Sequence, residues 1–153
     1  MQSFKTTHHC RSESDLTNLG EKLTPLLRLG DIVLLSGGLG AGKTTLARGI
    51  IRALCGDIEV PSPTYTLVQT YECSDFDIWH FDLYRLQHEN EIWELGIEDA
   101  FENGVCLLEW PQRISGLLTG NELEILIEIG ETTRTVTISG TEHWGDRLAH
   151  VIT

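Results

Sequence analysis

Gly37-Gly38-Leu39-Gly40-Ala41-Gly42-Lys43-Thr44 decides the fold. The stretch fits the phosphate-binding pattern G-x-x-x-x-G-K-[ST], and its flanks are the ones such a loop needs. Before it, Asp31-Ile32-Val33-Leu34-Leu35-Ser36 is a short apolar run of the kind that forms a buried parallel strand. After it, Thr45 to Leu54 carries apolar residues at helical spacing, and Gly56 is a stop signal. The glycines let the backbone curl so that successive N–H groups point inward at a polyphosphate, and the positive end of the next helix adds to that field. Gly37 to Thr45 is the candidate nucleotide-binding segment. Lys43 is placed to reach the β- and γ-phosphates, and the Thr44 hydroxyl to ligate Mg²⁺.

Outward from the loop the periodicity alternates between helix and strand. Ser12 or Ser14 can cap a helix over about residues 13–28, with Leu16, Leu19, Leu23, Leu26 and Leu27 on one face. Pro61-Ser62-Pro63-Thr64 must be extended or turned. Thr64 to Tyr71 alternates like a strand, Ile78 to Leu83 is a second, and Val105-Cys106-Leu107-Leu108 a third. Glu89 to Leu95 reads as helical, and Ile97 to Phe101 as another turn. Glu122 to Ile129 and Thr133 to Ile138 alternate around Gly130-Glu131-Thr132, which predicts a hairpin. A short helix from about Thr141 to Val151 closes the chain. The expected fold is a three-layer, P-loop NTPase-like α/β domain. Its central sheet is partly parallel with an antiparallel edge hairpin, and residues 1–153 form a single domain.

Composition narrows the function. Eleven basic residues face 23 acidic ones, for a formal net charge of −12. Phosphate contacts need clustered Lys and Arg, so a large nucleic-acid footprint is excluded unless a partner supplies the positive surface. No apolar run approaches the roughly 20 residues needed to span a bilayer, and the N-terminal residues lack a signal peptide's apolar stretch. A cytoplasmic location with no membrane partner is expected. The four cysteines, Cys10, Cys55, Cys73 and Cys106, are widely spaced with no C-x-x-C pair, so no zinc site is expected, and in a reducing cytoplasm no disulfide is expected either. Cys55 and Cys106 read as core thiols.

A phosphate loop binds, but hydrolysis needs an acid for the metal and a group that orders water. Strand alternation puts His80 and Asp82 of Ile78-Trp79-His80-Phe81-Asp82-Leu83-Tyr84-Arg85 on one face. Asp82, ending an apolar strand, is the candidate Mg²⁺-linked aspartate. Glu109, after Leu107-Leu108, sits at the sheet's carboxyl edge, where α/β ligands bind, and is a candidate to order water or hold Mg²⁺. Ser62-Pro63-Thr64 resembles a GTPase switch loop, with Thr64 offered to the metal and the γ-phosphate. Asp82 and Glu109 are thus the candidate catalytic pair, and Thr44, Asp82 and Glu109 the candidate metal ligands.

Together, Gly37 to Thr45, Ser62-Pro63-Thr64-Tyr65-Thr66-Leu67, His80-Phe81-Asp82-Leu83-Tyr84-Arg85 and Glu109-Trp110 resemble the TsaE (YjeE) family. The resemblance runs through residues 31 to 113. It implies a small ATPase of tRNA threonylcarbamoyladenosine biosynthesis that binds ATP with Mg²⁺ and hydrolyses it slowly. It also implies docking to a TsaB–TsaD heterodimer, whose TsaD subunit modifies adenosine next to the anticodon, so that tRNA is met only indirectly. Carried over, Lys43 and Thr44 hold phosphate and Mg²⁺, and Ser62 and Thr64 belong to the switch. Asp82 and Glu109 serve metal and hydrolysis, and Trp110 lies close to the nucleotide.

Other readings share these residues. A non-hydrolytic, nucleotide-dependent interaction module uses the same loop. A small-molecule kinase needs an arginine-bearing lid, and after Glu109 the chain holds only Arg113, Arg134 and Arg147. A GTPase needs a guanine-reading N-K-x-D motif, and no Asn-Lys pair occurs. ATP is therefore expected over GTP. The hairpin loop near Thr133-Arg134 is a candidate for contact with the base.

Overall fold

The computed structural model describes residues 3–151. Seven strands form one sheet: β1 (Ser3–Cys10), β2 (Ile32–Gly37), β3 (Val68–Tyr71), β4 (Asp77–Asp82), β5 (Gly104–Glu109), β6 (Leu123–Ile129) and β7 (Arg134–Thr141). Their order is β1-β7-β6-β2-β5-β4-β3. The centre is parallel, β2 lying between β5 and β6 and β4 beside β5, while the β6–β7–β1 side and β3 are antiparallel. The expected three-layer α/β fold with its antiparallel edge hairpin is what forms, and β3 adds a second antiparallel edge.

Strand alternation sorts the side chains into two cores. On one face Val33, Leu35, Ile78, Val105 and Leu107 pack under α1 (Glu13–Leu23) and α2 (Lys43–Cys55), with Trp144 and Leu148 of α4 (Glu142–Val151) extending the same core. On the other, Leu34, Phe81, Cys106 and Leu108 pack under α3 (Ile97–Asn103) and the 3-10 turns on either side of it. Helices α1 and α2 cross through reciprocal glycines. A Cβ on Gly20 would strike the Leu46 carbonyl, and one on Gly49 the Thr17 carbonyl. That close approach sets α1 against the helix that follows the phosphate loop.

Several sequence expectations are adjusted. Ser12, rather than Ser14, caps α1, its Oγ accepting from the Asp15 N–H at 3.1 Å. The helix stops at Leu23 and passes into a 3-10 turn containing Pro25, because proline cannot donate to the α-helical ladder. The strand expected from Thr64 covers only Val68–Tyr71, since residues 64–66 turn. Glu89–Leu95 is a 3-10 helix. Strand β1 has no counterpart in the sequence reading. Its burial alternates, but the inward-facing positions include Thr6 and His8 between Phe4 and Cys10, so the sequence shows no apolar–polar alternation.

The expectation of no disulfide is corrected. Cys55 at the end of α2 is bonded to Cys73, two residues after β3, their Cα atoms 4.6 Å apart. Spacing could not show that α2 and β3 end side by side. The bond brackets the whole Ser62-Pro63-Thr64 segment. Cys10 and Cys106 are buried thiols.

Candidate functional site

The loop from Gly37 to Gly42 leaves β2 and delivers Lys43 as the first residue of α2. Gly40 and Gly42 have φ of +77° and +115°, conformations that L side chains rarely adopt. Leu39 is exposed at the tip, and Ala41 is fully buried.

Lys43 is only 5% exposed. Its Nζ donates to the carbonyls of Gly37 at 2.9 Å and Gly38 at 2.8 Å, and lies 4.4 Å from the Trp110 ring centroid. Burial lowers its pKa below the ordinary lysine value, against the opposing pull of the Glu109 and Asp82 carboxylates. The ammonium is thus satisfied by the loop's own backbone.

The two acids end adjacent parallel strands. Asp82 of β4 and Glu109 of β5 are in register, so their side chains share the face toward α2. Both are buried. Thr44 Oγ1 lies 2.9 Å from Glu109 Oε2 and 3.2 Å from Oε1. On the other side, Thr64 Oγ1 donates to Asp82 Oδ2 at 3.0 Å, and the Tyr84 N–H to Oδ1 at 3.1 Å. Ser62 Oγ lies 2.7 Å from Thr64 Oγ1. Trp110, with φ of 61°, leaves the strand in a left-handed turn and packs against Tyr84 at 4.8 Å between ring centroids. The only other non-glycine residue with positive φ among the described residues is Leu67, directly before β3. Such conformations cost of order 1–3 kcal/mol each and persist where surrounding structure holds them.

Lys43, Thr44, Thr64, Asp82, Glu109 and Trp110 line one cavity of about 330 Å³ below the loop. The loop from α2 to β3 is held at its start by Arg48 Nε on the Val60 carbonyl and Arg52 Nε on that of Ile58. It is held at its end by the Asp82 N–H on the Leu67 carbonyl at 2.9 Å. Of the sequence-derived site residues, Leu39 to Thr45, Thr64, Asp82, Glu109 and Trp110 line this cavity, while Gly37 and Gly38 precede it in the loop and Ser62 reaches it only through Thr64.

A second cavity of about 270 Å³ adjoins it across Gly40, Ala41, Gly42 and Thr45. Its far wall is Thr133 and Arg134 of the β6–β7 hairpin, and its near wall Arg11 and Ser12 ahead of α1. Arg134 Nε donates to the Ala41 carbonyl at 3.1 Å, so the hairpin is tied to the loop itself. Arg11 and Ser12 were not singled out in the sequence, where nothing but a helix cap marks them. His80, given no role of its own there, is fully buried with Nε2 2.6 Å from Glu109 Oε2.

The donor set fits a small hard cation. A threonine hydroxyl and two carboxylates are oxygen ligands, and Mg²⁺ usually takes one or two carboxylates together with substrate phosphates rather than a full protein cage. Among the described residues no three His, Cys, Asp or Glu side chains converge on a metal position.

The family model described as threonylcarbamoyl adenosine biosynthesis protein TsaE matches residues 10–136. The chain is 45% identical to a Rickettsia conorii protein named tRNA threonylcarbamoyladenosine biosynthesis protein TsaE, over 79% of this chain and 70% of that one. It is 33% identical to the Haemophilus influenzae protein of the same name, over 93% of this chain and 94% of that one. A crystal structure of Bacillus subtilis YdiB superposes with a TM-score of 0.81 at 25% identity, covering 98% of this chain and 95% of that one.

Proposed function

The chain belongs to the TsaE family and so to tRNA threonylcarbamoyladenosine biosynthesis, and on that premise we propose that it is a Mg²⁺-dependent ATPase serving the TsaB–TsaD heterodimer. It acts in the cytoplasm as a single domain and meets tRNA only through that partner. The observation that carries this reading is the convergence of Lys43, Thr44, Thr64, Asp82 and Glu109 on one cavity, next to a second cavity on the far side of the loop. The first is suited to the polyphosphate. The second, walled by Thr133 and Arg134, is suited to ribose and base.

In this mechanism the loop N–H groups and the α2 N-terminus hold the phosphates. The Lys43 ammonium exchanges the Gly37 and Gly38 carbonyls for phosphate oxygens, a stronger charge-assisted contact. Thr44, Asp82 and Glu109 would hold Mg²⁺, which supplies charge neutralisation on the phosphate oxygens. Glu109 Oε1, whose contact to Thr44 is the longer one, is free to orient the attacking water. Thr64 leaves Asp82 for the γ-phosphate side, so the Ser62–Thr64 segment reports which nucleotide is bound. Trp110 covers Lys43 and limits water access.

Two observations weigh against a kinase. Arg134 is committed to the Ala41 carbonyl, and Arg147 to Asp31 and the Leu26 carbonyl. With those bonds in place, only the exposed Arg113 of the three arginines after Glu109 is left for such a lid. The net charge of −12 fits the indirect relation to tRNA.

MgATP turnover measured on the chain alone and with TsaB–TsaD tests the reading. Slow hydrolysis alone, together with repeated rounds of tRNA modification when the chain is added to TsaB–TsaD, is expected. ATP binding without hydrolysis in either setting would leave the non-hydrolytic module. No ATP binding would refute both.

A further inference from the structure

His80 stands in β4 on the face toward α2, one step below Asp82 and beside Leu107 of β5. It is 0% exposed and does not line the cavity that Asp82 and Glu109 share. Its same-face neighbours Ile78 and Leu107 are apolar and equally buried, so an aliphatic residue would suit the position. Burying an imidazole there costs free energy unless it is hydrogen-bonded. Its hydrogen bond among the described residues runs from Nε2 to Glu109 Oε2 at 2.6 Å, while Nδ1 is buried with no partner. A proton on Nδ1 would be an unpartnered buried donor, at roughly 1–3 kcal/mol. The ring is therefore the Nε2–H tautomer, donating to the carboxylate.

That donation has a geometric consequence. Oε2 receives the imidazole N–H from the core side and the Thr44 hydroxyl at 2.9 Å from α2, which fixes the carboxyl plane. Oε1 keeps only the 3.2 Å contact to Thr44. When Thr44 turns its hydroxyl to a metal, His80 is the remaining hold on Glu109.

We infer that His80 is a positioning residue: its Nε2–H locks the Glu109 carboxylate so that Oε1 faces the cavity for water or metal. The inference rests on the ATPase reading above. Partners of this kind, one step behind the ligands, change metal affinity or activity by roughly 10–100-fold when removed.

His80→Leu matches the apolar surroundings and cannot donate, whereas His80→Gln carries an N–H at the reach of Nε2. His80→Leu should lower kcat for MgATP about 10–100-fold and weaken Mn²⁺ binding in the nucleotide complex. Binding of metal-free ATP should change little, because Lys43 and the loop are untouched. His80→Gln should restore most of the loss, and His80→Leu added to Glu109→Ala should lower turnover no further. Imidazole nitrogen NMR of the wild-type protein should place the proton on Nε2. Wild-type turnover in His80→Leu, no rescue by Gln, a further loss in the double variant, or a proton on Nδ1 would each overturn the inference. If both substitutions unfold the chain, the wild-type spectrum decides alone. A wild-type protein that binds but never hydrolyses ATP would instead refute the ATPase reading, and the tautomer measurement would still stand.

Discussion

Thr64 Oγ1 donates to Asp82 Oδ2 at 3.0 Å, joining the Ser62–Thr64 segment to the end of β4 across 18 residues of sequence. The acid proposed for the metal is therefore the anchor of the proposed switch. Under the proposed switch, a ligand competing for either group would release this bond and reach the surface around Tyr65, itself 84% exposed.

Thr64→Ala removes that anchor without touching the phosphate loop. ATP and ADP affinities should stay within about threefold of wild type, while the difference in TsaB–TsaD affinity between the ATP-analogue and ADP forms shrinks. Population shift requires such a differential affinity. Equal partner binding in both wild-type nucleotide states, read by calorimetry, would remove the switch.

Lys43→Ala deletes the ammonium that now satisfies two loop carbonyls. One charge-assisted contact is worth about 1.5–3 kcal/mol, so MgATP binding should weaken by roughly 10- to 150-fold. The carbonyls of Gly37 and Gly38 can turn to water, so the thermal midpoint should move by only a few degrees. Unchanged ATP affinity by isothermal titration would reject the phosphate role.

Asp82→Ala and Glu109→Ala should each reduce hydrolysis more than binding, by about 100-fold or more in kcat, the scale of a positioned acid or base. Their contacts are to Thr64, Thr44, His80 and the Tyr84 N–H, and neither touches the loop backbone. Parallel losses of kcat and affinity would show that they act on ground-state binding instead.

Gly49→Ala tests the fold beneath the site. The new Cβ would meet the Thr17 backbone carbonyl, which cannot swing aside as a side chain can. Overpacking of this sort costs typically 1–3 kcal/mol, and separation of α1 from α2 should lower the midpoint of thermal or urea unfolding. A midpoint equal to wild type would mean that the two helices are not packed this closely.

The cysteines give a pH-dependent prediction. Burial pushes the Cys106 thiol up to about 12, and burial, with Asp15 nearby, raises that of Cys10. Raised values leave less thiolate at any pH below them, so both should resist alkylation at pH 8.5, where an ordinary cysteine reacts readily. Unfolded without reductant the chain should show two thiols, Cys10 and Cys106, and with reductant all four. Four thiols without reductant would exclude the Cys55–Cys73 bond.

The sequence by itself determined what is local. The phosphate loop is a run of neighbouring residues whose backbone preferences and flanking periodicity are set within a few positions. Its place after β2 and before α2 was therefore legible, and so was the strand-end placement of Asp82 and Glu109, because alternation and chain polarity fix both. Pairing across distance was not. Thr64 with Asp82, His80 with Glu109 and Arg134 with the Ala41 carbonyl are separated by 18, 29 and 93 residues. Cys55 and Cys73 meet only because α2 and β3 end together, and β1 shows no apolar stripe because Thr6 and His8 occupy inward positions between Phe4 and Cys10. Each of these depends on which strands lie adjacent and in what register. Adjacency is decided by burial of the whole sheet, a property that no short window of sequence contains.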